Sequence, residues 1–160
     1  MLPTFNRSVL HLDLTTFFAS VECLRNSSLH GKPLLIGGSR ERGIVASCSP
    51  EAQGFGICTG MPMKQALYRC PDALVLRGDQ ELYARHSTLV RQIIADQAPL
   101  YEQASIHEFY LDLSGMDRYF GCWKWSQELH RRIRRESGLP LSLGLAINKT
   151  VSKVGAGEAG

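Results

Sequence analysis

The 160-residue sequence has no Cys-x-x-Cys pair, and its five cysteines, Cys23, Cys48, Cys58, Cys70 and Cys122, are odd in number and widely scattered. That pattern excludes a disulfide scaffold and a zinc finger. The longest apolar run is only a few residues, too short to cross a bilayer, and the opening MLPTFNRSVLHLDL lacks the apolar core of a signal peptide. A cytoplasmic setting with reduced thiols and no membrane partner is therefore expected. Neither sign of charge is in large excess. Eighteen Lys and Arg against 15 Asp and Glu leave +3, which tolerates an anionic partner without demanding one. Hydrophobic residues at 44% and charged residues at 21% exclude a disordered, collagen-like or fibrous chain. The length suits about one domain with a single sizeable core. The sequence stops at Val-Gly-Ala-Gly-Glu-Ala-Gly without a closing element, so a fragment or a truncated gene product is expected.

Ser8 to Asp13 alternates and is rich in Val and Leu, the mark of a buried strand, and Phe17 to Leu24 follows at helical spacing. A hairpin is predicted from Leu34-Leu35-Ile36, stopped by Gly37-Gly38-Ser39, and Gly43 to Ser47. Pro50 and Pro62 each open a short helix; Gly54 and Gly56 end the first, and Pro71 ends the second. Leu82, Leu89, Ile93 and Ile94 mark one face of a long helix from about Asp79 to Gln97. Leu100 to Ala104 and Phe109 to Leu113 then pair across a polar tip, Ser105-Ile106-His107-Glu108. Trp125, Leu129 and Ile133 repeat at i+4 on a helix ending near Gly138, Leu141 to Ile147 is a further strand, and a Lys-containing helix is expected from near Asn148. The order is βα, a small Gly- and Pro-rich insertion, then αββαβ, and without the insertion a split βαβ-type sheet remains. The predicted class is α+β, a ferredoxin-like sheet with helices on one face.

Asp13 lies at the carboxyl end of the first strand, and Glu108 lies at the tip of a hairpin able to pair beside it. Carboxylates that converge at a sheet edge hold Mg²⁺ for phosphoryl chemistry. Taken alone, an Asp after a strand reads equally well as a turn or N-cap residue. His11 reads as a strand residue with a satisfied ring, and His30, His86 and His130 show no metal-ligand spacing.

Longer strings carry more. They are Asp13-Leu14-Thr15-Thr16-Phe17-Phe18-Ala19-Ser20-Val21-Glu22, Gly60-Met61-Pro62-Met63-Lys64-Gln65-Ala66-Leu67 with Cys70-Pro71, Tyr83, Ser105-Ile106-His107-Glu108-Phe109-Tyr110-Leu111-Asp112, and Gly144-Leu145-Ala146-Ile147-Asn148-Lys149. Together they resemble the Y-family DNA polymerases of the UmuC and DinB type, in that family's order and spacing from about residue 9 to residue 153. The resemblance implies a palm formed by residues 1–18 and 80–160 and a fingers subdomain at 19–79, with the family's thumb and little-finger domains absent from this chain.

The family's palm supplies three carboxylates to two Mg²⁺ ions. The resemblance places the first at Asp13, beside the backbone carbonyl of Leu14, and the other two at 107 and 108. Here the string reads Ser105-Ile106-His107-Glu108, so Glu108 remains and His107 replaces an Asp. One anionic ligand is lost where positive charge is most crowded, and imidazole suits Mn²⁺ or Zn²⁺ better than Mg²⁺. In the fingers, the family grips the triphosphate with a Tyr and, three residues later, an Arg. Pro50 and Gln53 stand at those positions, while Ser47 keeps a hydroxyl. Gln lacks the charged fork of Arg. Phe18 matches the aromatic steric gate under the sugar and Phe17 the aromatic before it, core packing being the plainer account of both. Lys149 and Lys153 match family lysines at the start of the last palm helix, or else lie on a solvated helix face. Arg131, Arg134 and Arg135 make the densest basic cluster, a solubility face or a contact for DNA or a partner protein.

Three readings follow. The first is a working translesion polymerase acting on primer-template DNA and deoxynucleoside triphosphates with Mg²⁺. The second, favoured by the losses at His107, Pro50 and Gln53, is a DNA-repair polymerase homologue with impaired or silent nucleotidyl transfer and weak Mg²⁺ and DNA binding. In that case the scaffold is retained as an adaptor for replication or repair proteins. The third is a palm reused for another nucleotide reaction.

Overall fold

The structure is a computed structural model that describes residues 5–98, 100–114 and 119–150, and the side chains of all of these except 5–7, 119–120 and 147–150. The described chain forms two compact units. One holds the described residues up to Leu14, from Thr88 to Ser137 and from Leu141 onward; the other holds Thr15–Ser87 and Gly138–Pro140.

The first unit is built on a four-stranded antiparallel sheet: β1 (Phe5–Asp13), β5 (Tyr101–Ser105), β6 (Glu108–Asp112) and β7 (Ser142–Thr150), in the order β5-β6-β1-β7. With α5 (Tyr119–Ser137) and helix α4 (Gln80–Gln97), which belongs to this unit from Thr88 onward, this is the split βαββαβ arrangement expected of a ferredoxin-like α+β sheet. Alternation along the strands explains the burial. Leu10 and Leu12 of β1 and Phe109 and Leu111 of β6 are fully buried, whereas His11, Asp13, Glu108 and Tyr110 are on the more open side. Helix α5 packs on β1 and β7, contributing Cys122, Leu129 and Ile133 to the core.

The second unit contains α1 (Phe17–Arg25) and a sheet of β2 (Leu34–Gly37), β3 (Val45–Cys48) and β4 (Leu74–Leu76) in the order β3-β2-β4. Two short helices, α2 (Pro50–Gln53) and α3 (Met63–Arg69), complete it. Ser49 caps α2 by accepting from the Ala52 N–H, and Pro50 sits at the first helical position, where a missing N–H costs nothing. The core here gathers Leu35, Val45, Ala52, Ile57, Met63 and Ala66.

Several expectations need correction. Residues 142–150 form a strand, so Asn148 lies within β7 and not at the start of a helix. Lys149 lies in β7, its backbone opposite Asn6, because the β1–β7 pairing runs two turnless residues past Asn148. Lys153 falls outside the described residues. Leu89 is exposed, since the buried stripe of α4 runs through Tyr83, Ser87, Val90 and Ile94, and Leu89 sits at its edge. Strand β4 was not expected. Its three residues carry no periodicity of their own, and it exists because β2 offers a parallel partner.

The β2–β3 hairpin closes tightly: a Cβ built on Gly43 would run into the backbone of Gly38 and Ser39. The variant Gly43→Ala is expected to lose about 1–3 kcal/mol of stability, because backbone cannot yield as a flexible side chain can. Urea denaturation read by circular dichroism measures it, and an unchanged midpoint would contradict so close an approach.

Candidate functional site

The carboxylates singled out in the sequence meet across one rung of the sheet. Asp13, the last residue of β1, is the register partner of Glu108, the first residue of β6. Directly opposed residues on an antiparallel pair bring their side chains onto the same face. The polar tip is shorter than expected, only Ile106 and His107, with Ser105 and Glu108 already in strands. Its position is held by the Leu14 N–H, which donates to the His107 carbonyl at 2.8 Å, and by the His107 N–H, which donates to Ser105 Oγ at 3.3 Å.

Each carboxylate is met by an imidazole. His107 Nδ1 lies 3.0 Å from Asp13 Oδ1, and His11 Nε2 lies 2.9 Å from Glu108 Oε2. His11 also stacks on Tyr110, its register partner, with ring centroids 4.7 Å apart. All four side chains are about one-third exposed, from 33% to 38%. His11 is thus a satisfied strand histidine, but its partner is a candidate site residue, a pairing that follows only from the register. Among the described residues, no group of three or more His, Cys, Asp or Glu side chains is arranged to hold a metal ion.

The nucleotide-contact candidates, apart from Leu14, belong to the second unit. Phe17 is buried and Phe18 half-buried; both rings meet Tyr83 edge-on, Phe18 at 4.9 Å and Phe17 at 6.3 Å between centroids. Tyr83 in turn donates to Glu22 Oε2 at 2.5 Å, and Arg25 donates to Glu22 Oε1 at 2.6 Å and to Asp79 Oδ2 at 3.0 Å. Glu22 is 1% exposed, a buried carboxylate made tolerable by these two donors. Sequence reasoning assigned it no role, because a Glu on an amphipathic helix ordinarily faces water. Burial pushes the Tyr83 phenol well above its ordinary range, and its bond to Glu22 adds to the effect. The Leu82 N–H holds the Asp79 carboxyl below the usual range, with Arg25 acting in the same direction. Ser47 lies half-buried in β3 opposite Ile36, and Pro50 is exposed. Gln53 donates its side-chain amide to the Cys48 carbonyl at 3.4 Å.

The sequence model of the impB/mucB/samB family matches residues 12–157. The chain belongs to the impB/mucB/samB family. Among its relatives are a DNA polymerase IV of Treponema denticola, 41% identical over 93% of this chain and 38% of that protein, and one of Halorhodospira halophila, 41% identical over 95% and 43%. Among solved structures, DinB from Sulfolobus solfataricus superposes with a TM-score of 0.84 at 28% identity, covering 89% of this chain and 42% of that one. An insertion ternary complex of Dbh DNA polymerase gives 0.83 at 28%, covering 89% and 43%. This impB/mucB/samB chain is therefore a Y-family polymerase homologue of α+β fold, and it spans about two fifths of the length of the curated relatives it matches.

The basic cluster is largely neutralised within the chain. Arg131 pairs with Glu128 at 2.8 Å, Arg132 with Glu136 at 2.8 Å and Asp96 at 3.1 Å, and Arg135 approaches Glu136 at 4.0 Å. Arg134 is exposed. No helix among the described residues is long and apolar enough to cross a membrane.

The buried phenol gives a pH signature. A group whose folded pKa exceeds its ordinary value contributes fully below that value, here 10.0, and loses the contribution as pH rises beyond it. Thermal stability is expected to fall more steeply above about pH 10 in the natural chain than in Tyr83→Phe. At neutral pH, Tyr83→Phe should cost about 1–3 kcal/mol by leaving Glu22 short of a donor. Parallel alkaline declines in the two proteins would refute the assignment.

Proposed function

We propose that this chain is the palm and fingers portion of a DNA-repair polymerase homologue whose nucleotidyl transfer is impaired or silent. The first unit takes the palm role, with Asp13 and Glu108 the remnant of the metal-binding carboxylates. The second takes the fingers role, with Phe17 and Phe18 under the sugar and Ser47, Pro50 and Gln53 along the triphosphate. The observation that carries the reading is His107, whose ring nitrogen meets Asp13 at 3.0 Å where the family places a carboxylate.

The chemistry of this donor set does not suit a pair of Mg²⁺ ions. Magnesium demands oxygen ligands in near-octahedral geometry and dehydrates reluctantly, and here two carboxylates remain, each already engaged by an imidazole. In the fingers, Gln53 spends its amide on the Cys48 carbonyl, and Pro50 has no donor to offer, so a charge-assisted grip on a triphosphate is missing. The residues that remain supply a stacking surface, a hydroxyl at Ser47 and an acidic pair, enough for weak, salt-sensitive contact with DNA and nucleotide. A cytoplasmic location accords with this role.

The same losses favour an adaptor role as the second reading, with the scaffold joining proteins of a DNA-damage response. Three replaced contact positions in a fold that otherwise keeps its core are what relaxed demand for catalysis leaves behind.

Primer extension by the natural protein with Mg²⁺ is expected to run at least about a hundredfold below that of the triple variant His107→Asp, Pro50→Tyr, Gln53→Arg. Robust Mg²⁺-dependent extension by the unaltered protein would sink the impaired reading. An interaction screen with the unaltered protein that recovers no replication or repair factor would count against the adaptor.

A further inference from the structure

We infer that His107 is a built-in plug: its imidazole occupies Asp13 from within the chain, so the acidic pair is satisfied without a divalent cation and is closed to Mg²⁺. This rests on the reading of Asp13 and Glu108 as the remnant of a metal site, but it makes a separate claim. Loss of a carboxylate at 107 weakens a metal site by subtraction. A plug weakens it further, by competition for a ligand that is still present.

The geometry distinguishes a plug from a chance contact, because His107 is held at both of its backbone groups. Its carbonyl accepts from the Leu14 N–H at 2.8 Å, one residue past Asp13, and its N–H donates to Ser105 Oγ at 3.3 Å. With the turn fastened to the end of β1, the imidazole has little distance to search before Nδ1 meets Asp13 Oδ1 at 3.0 Å. The backbone entropy of the turn is already lost, so only the rotamer of the ring is left to be fixed by the contact.

The second carboxylate is handled in parallel by a different device. His11 is anchored by its stack on Tyr110 at 4.7 Å and delivers Nε2 to Glu108 Oε2 at 2.9 Å. An ion arriving at this rung therefore finds one oxygen of each carboxylate already engaged and a nitrogen beside it. A hydrated Mg²⁺ must displace an imidazole to gain a carboxylate oxygen, while the imidazole offers it a poor ligand in return.

Two like charges opposed on a sheet rung repel, and something must offset that. In this chain each carboxylate shares a hydrogen bond with an imidazole, which offsets part of that cost. Stability of the first unit should therefore be indifferent to divalent cations, and removing a plug should make it cation-dependent.

The test is the thermal melting point of the full chain at one fixed pH, in EDTA and across a Mg²⁺ titration, for the natural sequence, His107→Ala, His107→Asp and His11→Ala. Ligand that binds the folded state raises the midpoint, so weak affinities are readable. The natural chain is expected to shift by less than about 1 °C. In EDTA, His107→Ala should melt lower, recover with Mg²⁺, and show an apparent Mg²⁺ affinity about tenfold above the natural chain. His11→Ala should show a gain of the same sign through Glu108, an independent arm should His107→Ala fold poorly. His107→Asp should bind more tightly than either.

If His107→Ala loses the same stability in EDTA and in Mg²⁺, the histidine is merely structural and the plug is overturned. Failure of His107→Asp to respond to Mg²⁺ would instead overturn the underlying reading of a metal-site remnant. A natural chain that binds Mg²⁺ as tightly as His107→Asp would overturn the plug while keeping the acidic pair as a metal site.

Discussion

The antiparallel rung that sets Asp13 opposite Glu108 governs the rest of the first unit's chemistry. Side chains on a strand alternate between faces, so the register that buries Leu10, Leu12, Phe109 and Leu111 also puts His11, Asp13, Glu108 and Tyr110 together on the other side. A slip of one residue would exchange the two sets. The hydrophobic core and the polar site are thus one decision, and the Leu14 to His107 backbone bond secures it at the strand end.

The second unit solves a different problem. Glu22 is a carboxylate in an apolar setting, and an isolated charge there would be costly. Arg25, one turn along the same helix, and Tyr83, from α4, complete its hydrogen bonding, and Asp79 extends the chain of partners. Since Phe17 and Phe18 rest edge-on against Tyr83, the polar cluster also orients the aromatic pair. Pro50 and Gln53 lie outside this cluster and are exposed. Buried scaffold residues and exposed candidate contact residues are thus under different physical constraints.

Such a division is physically reasonable. Removing a buried partner leaves an unsatisfied group and costs the fold, whereas Pro50 and Gln53 are exposed and their replacement costs the fold little. His107 belongs to neither class. Its ring, about one-third exposed, supplies Asp13 with a hydrogen-bonding partner and so leaves the end of the strand satisfied.

Most of the architecture was legible in the order of residues. The alternation of Ser8 to Asp13, the paired β5 and β6, and the helical spacing of Leu129 and Ile133 placed the ferredoxin-like sheet. The strings around Asp13 and Ser105 marked the family, because local pattern and residue type are properties of the chain itself. What the sequence could not determine depended on neighbours distant in the chain. Strand β4 required β2 beside it, the continuation of β7 through Lys149 required β1, and the burial of Glu22 required Tyr83, 61 residues away. The pairing of each carboxylate with its own histidine was likewise decided by tertiary structure, since only strand register brings His11 to Glu108 and His107 to Asp13 across separations of 97 and 94 residues.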